Sequence, residues 1–459
     1  MEGVAEITME RNRHAPTKLE KISFGLGDFA NNGMFSFVST YAMFYYTDIA
    51  KVSLEAVAAI LLIGRMVDAI SSVIMGVVID KANFKMGKCR PFLLTGILPA
   101  CILMVFIFAI PESFSPTGKM LMAVAAYSMY SVLYAYMNVP YTAMLNVLTD
   151  DNEQRVSFNL YKNVGANAGG IFVTATALSI VKKFEEGRSQ GYFGAAIVFG
   201  IIFLAVGLMC AFFTKERAKM GARSSLRLKE SVQVIASNKP WLILCGIQFV
   251  SLMYLLVRNQ ATIYYAKYYL GNEQISSLML SIAPLASLLT TLILPKIVRY
   301  TGIKKCMVYG HMVWAISMIA TALSGKSVMG VVLSHVLASL SWGIASGMVF
   351  VALTQTIDYG EWKTGKRPQG LSTSLIAFVQ KAGIACSGVI CSEMLDWGGY
   401  VANQELTDTA VFSVKMIFWG IPLILSLITL ILLIFYKLDD IYPTVEKELR
   451  ERGGEHERV

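Results

Sequence analysis

Charge is scarce in this chain. Lys, Arg, Asp and Glu make up 15% of its 459 residues, against about 25% in soluble domains. That deficit excludes an ordinary water-soluble globular protein, and the 55% hydrophobic content points to a bilayer instead. Histidine is almost missing: His14, His311, His335 and His456 are scattered without metal-ligand spacing, so no histidine-built metal centre is expected. There is no Gly-rich phosphate loop and no nucleophile–base arrangement, which argues against an enzyme and against a nucleotide-driven pump. The seven cysteines follow no disulfide or metal pattern and read as core packing. The first 21 residues are polar, with no apolar core of a signal peptide, so no cleavable signal is expected ahead of the first span.

What is present is a succession of apolar runs joined by short charged loops. The runs fall at about 22–48, 54–79, 92–111, 119–145, 156–181, 191–213, 241–269, 275–299, 306–324, 328–356, 371–395 and 409–436. About 20 helical residues cover the hydrocarbon slab, so these are twelve candidate transmembrane helices. Most Lys and Arg lie in the loops on the side of the N-terminus, which places both ends in the cytoplasm of a cell membrane. The net charge of +9 follows from that asymmetry and needs no nucleic-acid partner. The organisation reads as a cytoplasmic segment 1–21, a six-helix unit 22–213, a basic linker 214–240, a second unit 241–437 and a cytoplasmic tail 438–459. The halves echo one another: Tyr45-Tyr46 and Tyr268-Tyr269 close the first and seventh spans. Gly87-Lys88-Cys89 and Lys304-Lys305-Cys306 follow the second and eighth, and Lys162 and Lys381 sit in the fifth and eleventh. Offsets near 220 suggest the parallel-repeat plan of major facilitator transporters.

Polar groups inside the slab carry the functional signal. Arg65, Asp68 and Ser72 share one face of the second span, as do Asp28, Asn31, Asn32 and Ser36 on the first. Asn138, Lys162 and Lys381 reach comparable depths from three further spans. A lysine or carboxylate at that depth demands a partner or water, and convergence at one level is the pattern of a central binding site. Each group also has an ordinary explanation. Arg65 and Asp68 neutralise one another between packed helices, Asp28 braces the first span, and Asn138 satisfies backbone freed by Pro140. Asn163, Gly165, Asn167, Gly169 and Gly170 crowd the fifth span, where small residues mark close helix contact. Arg258 and Lys415 are expected to snorkel toward the outer surface. The basic loops after the second and tenth spans, with Asp80 and Arg90, and with Asp358, Glu361 and Arg367, are expected to act as conformational clamps.

The segments Gly25-Leu26-Gly27-Asp28-Phe29, Phe44-Tyr45-Tyr46-Thr47-Asp48, Arg65-Met66-Val67-Asp68-Ala69-Ile70, Gly87-Lys88-Cys89-Arg90-Pro91 and Asp358-Tyr359-Gly360-Glu361-Trp362 resemble the glycoside–pentoside–hexuronide:cation symporter family. The resemblance covers all twelve spans. It implies an all-α membrane protein of the major facilitator fold, two pseudo-symmetric six-helix bundles carrying a sugar with H⁺, Na⁺ or Li⁺ by alternating access. In the family pattern two second-span carboxylates four apart bind the cation. Here Asp68 matches the first and Ser72 replaces the second. Asn138 replaces a fourth-span aspartate, Asn31-Asn32 a first-span Lys-Asp pair and Lys162 a fifth-span arginine. Tyr134 and Lys381 match in kind.

With fewer hard oxygen ligands for Na⁺, H⁺ is the expected coupling ion, with Na⁺ second. Asp68, Asp28 and Ser72 form the coupling set, and Arg65 tunes Asp68. Asn31, Asn32, Tyr134, Asn138, Thr142, Lys162 and Lys381 are the sugar-binding set. The cationic excess slightly favours an anionic sugar such as a hexuronide. No cofactor is expected. The alternatives are an uncoupled facilitator or lipid-type carrier on the same fold, and a non-transporting membrane receptor.

Overall fold

A computed structural model describes residues 16–82, 84, 86–145, 147–149, 151–184, 188–217 and 228–456. Among them every regular element is helical: α1 (Lys18–Phe44), α2 (Leu54–Lys81), α3 (Arg90–Ile107), α4 (Pro116–Met144), α5 (Asn152–Lys183), α6 (Arg188–Phe213), a short α7 (Leu228–Ala236), α8 (Lys239–Tyr264), α9 (Ile275–Thr301), α10 (Ile303–Leu323), α11 (Val328–Gly347), α12 (Val349–Thr364), α13 (Gln369–Trp397), α14 (Asp408–Lys415), α15 (Ile421–Phe435) and α16 (Leu438–His456). Ten stretches of these residues are long and apolar enough to cross a membrane. The 27-residue α1 and α9 complete the twelve-helix plan. α1 falls short on hydropathy because Asp28, Asn31, Asn32 and Ser36 interrupt it. α11 and α12 form one crossing broken at Met348, and α14 and α15 another joined by a π-helical turn.

The repeat is visible in local chemistry. α1 and α8 each end in a π-helical turn, Tyr45–Ile49 and Tyr265–Tyr269. The start of α3 is capped by Glu216, whose carboxylate accepts from the backbone N–H of Lys88 (2.7 Å), Cys89 (2.8 Å) and Arg90 (2.9 Å). Gly87, at φ 109°, makes the turn that aims those donors. In the second half Gly302, at φ 78°, precedes α10, and Asp439 accepts from Lys304 N–H at 2.8 Å. A carboxylate just beyond the sixth helix of each unit therefore holds its third helix at an N-terminus, where negative charge is stabilised. Burial, reinforced by Glu216, pushes the neighbouring Cys89 thiol up to about 12, which suits an inert packing residue.

The glycines of α5 are a contact surface, as their density suggests. A Cβ on Gly165 would lie 1.9 Å from Gly25 O, and one on Gly169 2.3 Å from Phe29 O, so α1 and α5 meet backbone to backbone. The segment 214–240 is more than a tether. Its α7 buries Val234 and Ile235, Glu230 pairs with Lys366 at 2.7 Å, and Asn238 donates to Thr356 O at 2.6 Å.

Two expectations about charged groups change. Arg258 does not snorkel: it is fully buried, bonded to His335 Nδ1 and stacked on Phe418 at 4.5 Å. Buried aromatic and imidazole groups inside the C-terminal bundle satisfy it better than the interface would. Asp358 and Glu361 are not in a loop but on the last turns of α12, which ends at Gly365 in the left-handed conformation. Arg90 is engaged at the end of α6. Its guanidinium donates to Ala211 O (3.0 Å) and Phe212 O (3.4 Å), the free carbonyls ending α6. The Asp80 side chain lies outside the described residues.

Candidate functional site

The two halves are tied together by side chains from mid-depth to the face opposite the termini. At mid-depth Lys381 of α13 donates to Asp68 Oδ1 at 2.8 Å and to Ser72 Oγ, both on α2. At about 1.5 Å per residue, Lys381 lies about 18 Å into its helix and Asp68 about 20 Å from the matching end of α2. Asp68 is 4% exposed, and such a carboxylate is tolerable only because a cation and a hydroxyl meet it there. Asp68 and Ser72 share a face, so one ammonium reaches both.

Arg65 turns elsewhere. Its guanidinium donates to Ser39 Oγ at 2.6 Å and lies over the rings of Phe35 (5.0 Å) and Tyr127 (5.9 Å). It forms no ion pair with Asp68 among the described residues, because the acid's near side is already taken by Lys381.

Asp28 is buried on α1, and Lys162 stands on the neighbouring α5. Both lie about 15 Å from the start of their helices. Asn31 and Asn32 part company, since consecutive residues point about 100° apart on a helix. Asn31 is buried inside the N-terminal bundle beside Leu93, Met137 and Gly207, and its carbonyl accepts from Tyr134 OH at 3.4 Å. Asn32 instead faces a cavity between the halves. Asn138 is half-buried and Thr142 exposed on α4; neither lines that cavity.

The cavity measures about 260 Å³ and lies among α1, α5, α8 and α9. Its polar lining is Asn32, Ser36, Thr40, Asn167, Thr174 and Asn259. Sequence reasoning reached Asn32 and Ser36 through their helical spacing. Thr40, Thr174 and Asn259 gave no comparable signal, because a single neutral residue on an apolar helix is unremarkable. Toward the opposite face the cavity is closed by Thr174 bonded to Ser281 at 3.0 Å.

Beyond that bond the halves are sealed around Asp48, whose side chain is fully buried. Its carboxylate accepts from Lys267 Nζ (2.9 Å), Tyr400 OH (2.7 Å), Thr47 Oγ1 (2.9 Å) and Tyr268 OH. Asn403 donates to its backbone carbonyl at 2.8 Å, and Thr47 bonds Tyr264 at 2.7 Å. Near the termini the recorded ion pairs stay on one side of the molecule. Arg217 holds Glu20 at 2.8 Å, and Arg367 pairs with Asp358 at 2.7 Å and with Glu361. Among the described residues the side-chain hydrogen bonds that join the two bundles lie from mid-depth to the opposite face, where the halves are closed.

Comparison with known proteins gives the chain its family. The MFS/sugar transport protein family matches residues 23–440. The isoprimeverose transporter of Lactiplantibacillus pentosus is 30% identical over 95% of this chain and 92% of its own length. A putative glycoside/cation symporter of Escherichia coli K12 is 28% identical over 92% and 93%, and a glucuronide carrier protein homolog of the same organism is 27% identical over 91% and 92%. Among solved structures, the nucleoside transporter NupG superposes with a TM-score of 0.61 at 16% identity, covering 91% of this chain and 99% of its own. That likeness concerns the fold. The chain is a multi-pass membrane transporter and not an enzyme, and it belongs to the MFS/sugar transport protein family.

Proposed function

We propose that this protein is a sugar:cation symporter working by alternating access, with H⁺ as coupling ion and Asp68 as its site. The observation that carries the reading is the Lys381–Asp68–Ser72 bridge between the halves. An ammonium held by a carboxylate is unavailable to a sugar. Protonation of Asp68 removes the charge that holds Lys381, which then donates to a substrate hydroxyl. Cation and sugar are linked because one neutralises the acid while the other takes over the base. Asp28, buried on α1, is the second acid that protonation would reach. The names of the relatives support sugar as the cargo class.

The units 22–213 and 241–437 act as the rocking bodies, with 214–240 as the connection. The face carrying the termini is cytoplasmic by the distribution of Lys and Arg, in a cell membrane, so the face at which the halves are closed is the outer one. Asp358, Glu361 and Arg367 fix the inner end of α12 as the halves move, and Arg90 does so at α3.

The test is sugar uptake into proteoliposomes under an imposed pH gradient or an imposed Na⁺ gradient. Accumulation that follows the pH gradient, and that Asp68→Asn abolishes while leaving downhill exchange, is the expected result. Accumulation that follows Na⁺ and ignores pH overturns H⁺ coupling. Absence of sugar movement under either gradient overturns the transporter reading.

A further inference from the structure

The cavity and the charged bridge are different places. Lys381 and Asp68 stand on α13 and α2, whereas the cavity lies among α1, α5, α8 and α9 and has no Asp, Glu, Lys, Arg or His in its lining. Among the described residues no hydrogen bond occupies the side chains of Asn32, Ser36, Thr40 or Asn259. Thr174 is used by Ser281, and the Asn167 amide donates to Asn163 O at 2.8 Å. Four neutral polar groups, three from one half and one from the other, therefore face the cavity rather than a protein partner among the described residues. An apolar wall of Leu280, Ala283 and Pro284 completes it.

We propose that this cavity is the recognition pocket for one uncharged sugar ring, with Asn259 and Thr40 as specificity-determining residues. This rests on the symporter reading and names its substrate class. A sugar hydroxyl both donates and accepts, as amide and hydroxyl side chains do. The apolar face of a pyranose ring fits the Leu280–Pro284 wall. At about 260 Å³ the space is below the roughly 300–1,000 Å³ of pockets that hold larger ligands, so it takes one ring and leaves any second ring outside it. A uronic carboxylate here would be a buried anion facing neutral groups, which is costly. Lys162 stands one turn nearer the termini than Ala166 and is not part of the lining. The excess of cations visible in the sequence thus does not reach the ring. Occupancy would also draw Asn259 toward Asn32, Ser36 and Thr40, linking the halves beside the bond between Thr174 and Ser281.

The experiment is calorimetric titration of the purified full-length protein with methyl glucoside, methyl xyloside and methyl glucuronide, repeated on Thr40→Val and Asn259→Leu. Thr40→Val keeps the side-chain shape and guards against misfolding, which melting temperature monitors. The expected result is that a neutral glycoside binds at least about tenfold more tightly than the glucuronide, and that each variant weakens it roughly tenfold. Tighter glucuronide binding by the native protein, or unchanged affinity in folded Thr40→Val, overturns the pocket assignment and leaves the symporter reading standing. Binding of none of the three glycosides overturns both.

Discussion

Replacing Lys381 with alanine leaves Asp68 as an unpaired carboxylate between α2 and α13. Breaking a buried pair by removing one partner costs about 3–5 kcal/mol. The side chains are 23% and 6% exposed for Lys381 and Asp68, so water relieves part of the penalty and the lower end, about 3 kcal/mol, applies. With about 2.1 cal/mol/K of unfolding entropy per residue, a chain of 459 residues gains about 1 kcal/mol/K, and the melting temperature falls by about 3 °C. Asp68→Asn costs less, because Lys381 keeps Ser72 and the Asp68 carbonyl at 3.4 Å. The double variant holds neither charge, so its loss should be well below the sum of the two single losses, as expected for directly coupled residues. Differential scanning fluorimetry of the purified protein reads all four corners of that cycle. Strictly additive losses would show that the two charges do not support each other, and the proposed link between cation and sugar would lose its physical basis.

Gly165→Ala should abolish stable expression, since its Cβ would fall 1.9 Å from a backbone oxygen that cannot move aside; fluorescence-detected size-exclusion chromatography checks this. Asp48→Asn should weaken the seal and raise the fraction open at the opposite face, read as longer spin-label distances across that face. Arg258→Met should leave melting temperature unchanged or higher, because replacing a buried cation by an apolar residue of similar volume is often neutral or stabilising. Arg367→Ala should slow uptake while changing melting temperature by less than about 1 °C, as a partly exposed ion pair contributes little to stability.

The crossings, the duplicated unit and a close helix contact at the fifth span were legible in the sequence, because hydropathy, loop charge and glycine spacing are local properties; that α1 is the partner was not. The demand for a partner at Lys381 was legible too, since a lysine at mid-depth cannot stand alone. Which acid would answer was not: Asp68 is 313 positions away, and Arg65, three positions from it, is the partner that spacing suggests. Helix rotation decides such cases. It sends Asn31 into a bundle and its neighbour Asn32 into the cavity. It also turns Arg258 inward to His335, where a position near the outer surface suggested snorkelling. Asp48 stood in a recognisable segment, yet its role depends on Lys267, Tyr268, Tyr400 and Asn403, which only the closed halves bring to it.

Under the proposed function, the distribution of bonds implies an order of events. From mid-depth to the opposite face the halves share the Lys381 bridge, the Thr174–Ser281 bond and the Asp48 cluster. All three must open for the cleft to face the other way, and Asp48 is the costliest to leave, since a buried carboxylate stripped of its donors is exposed to water only after the tyrosines have moved. On that reading an empty carrier with Asp68 ionised keeps all three ties and stays closed at the opposite face. Protonating Asp68 weakens only the middle tie, so the proton alone does not reverse the carrier. A ring in the proposed pocket would add contacts between Asn259 and α1, at a place apart from the Lys381 bridge. The reorientation thus depends on both ligands being present, which is the condition that separates coupled transport from a leak of either one.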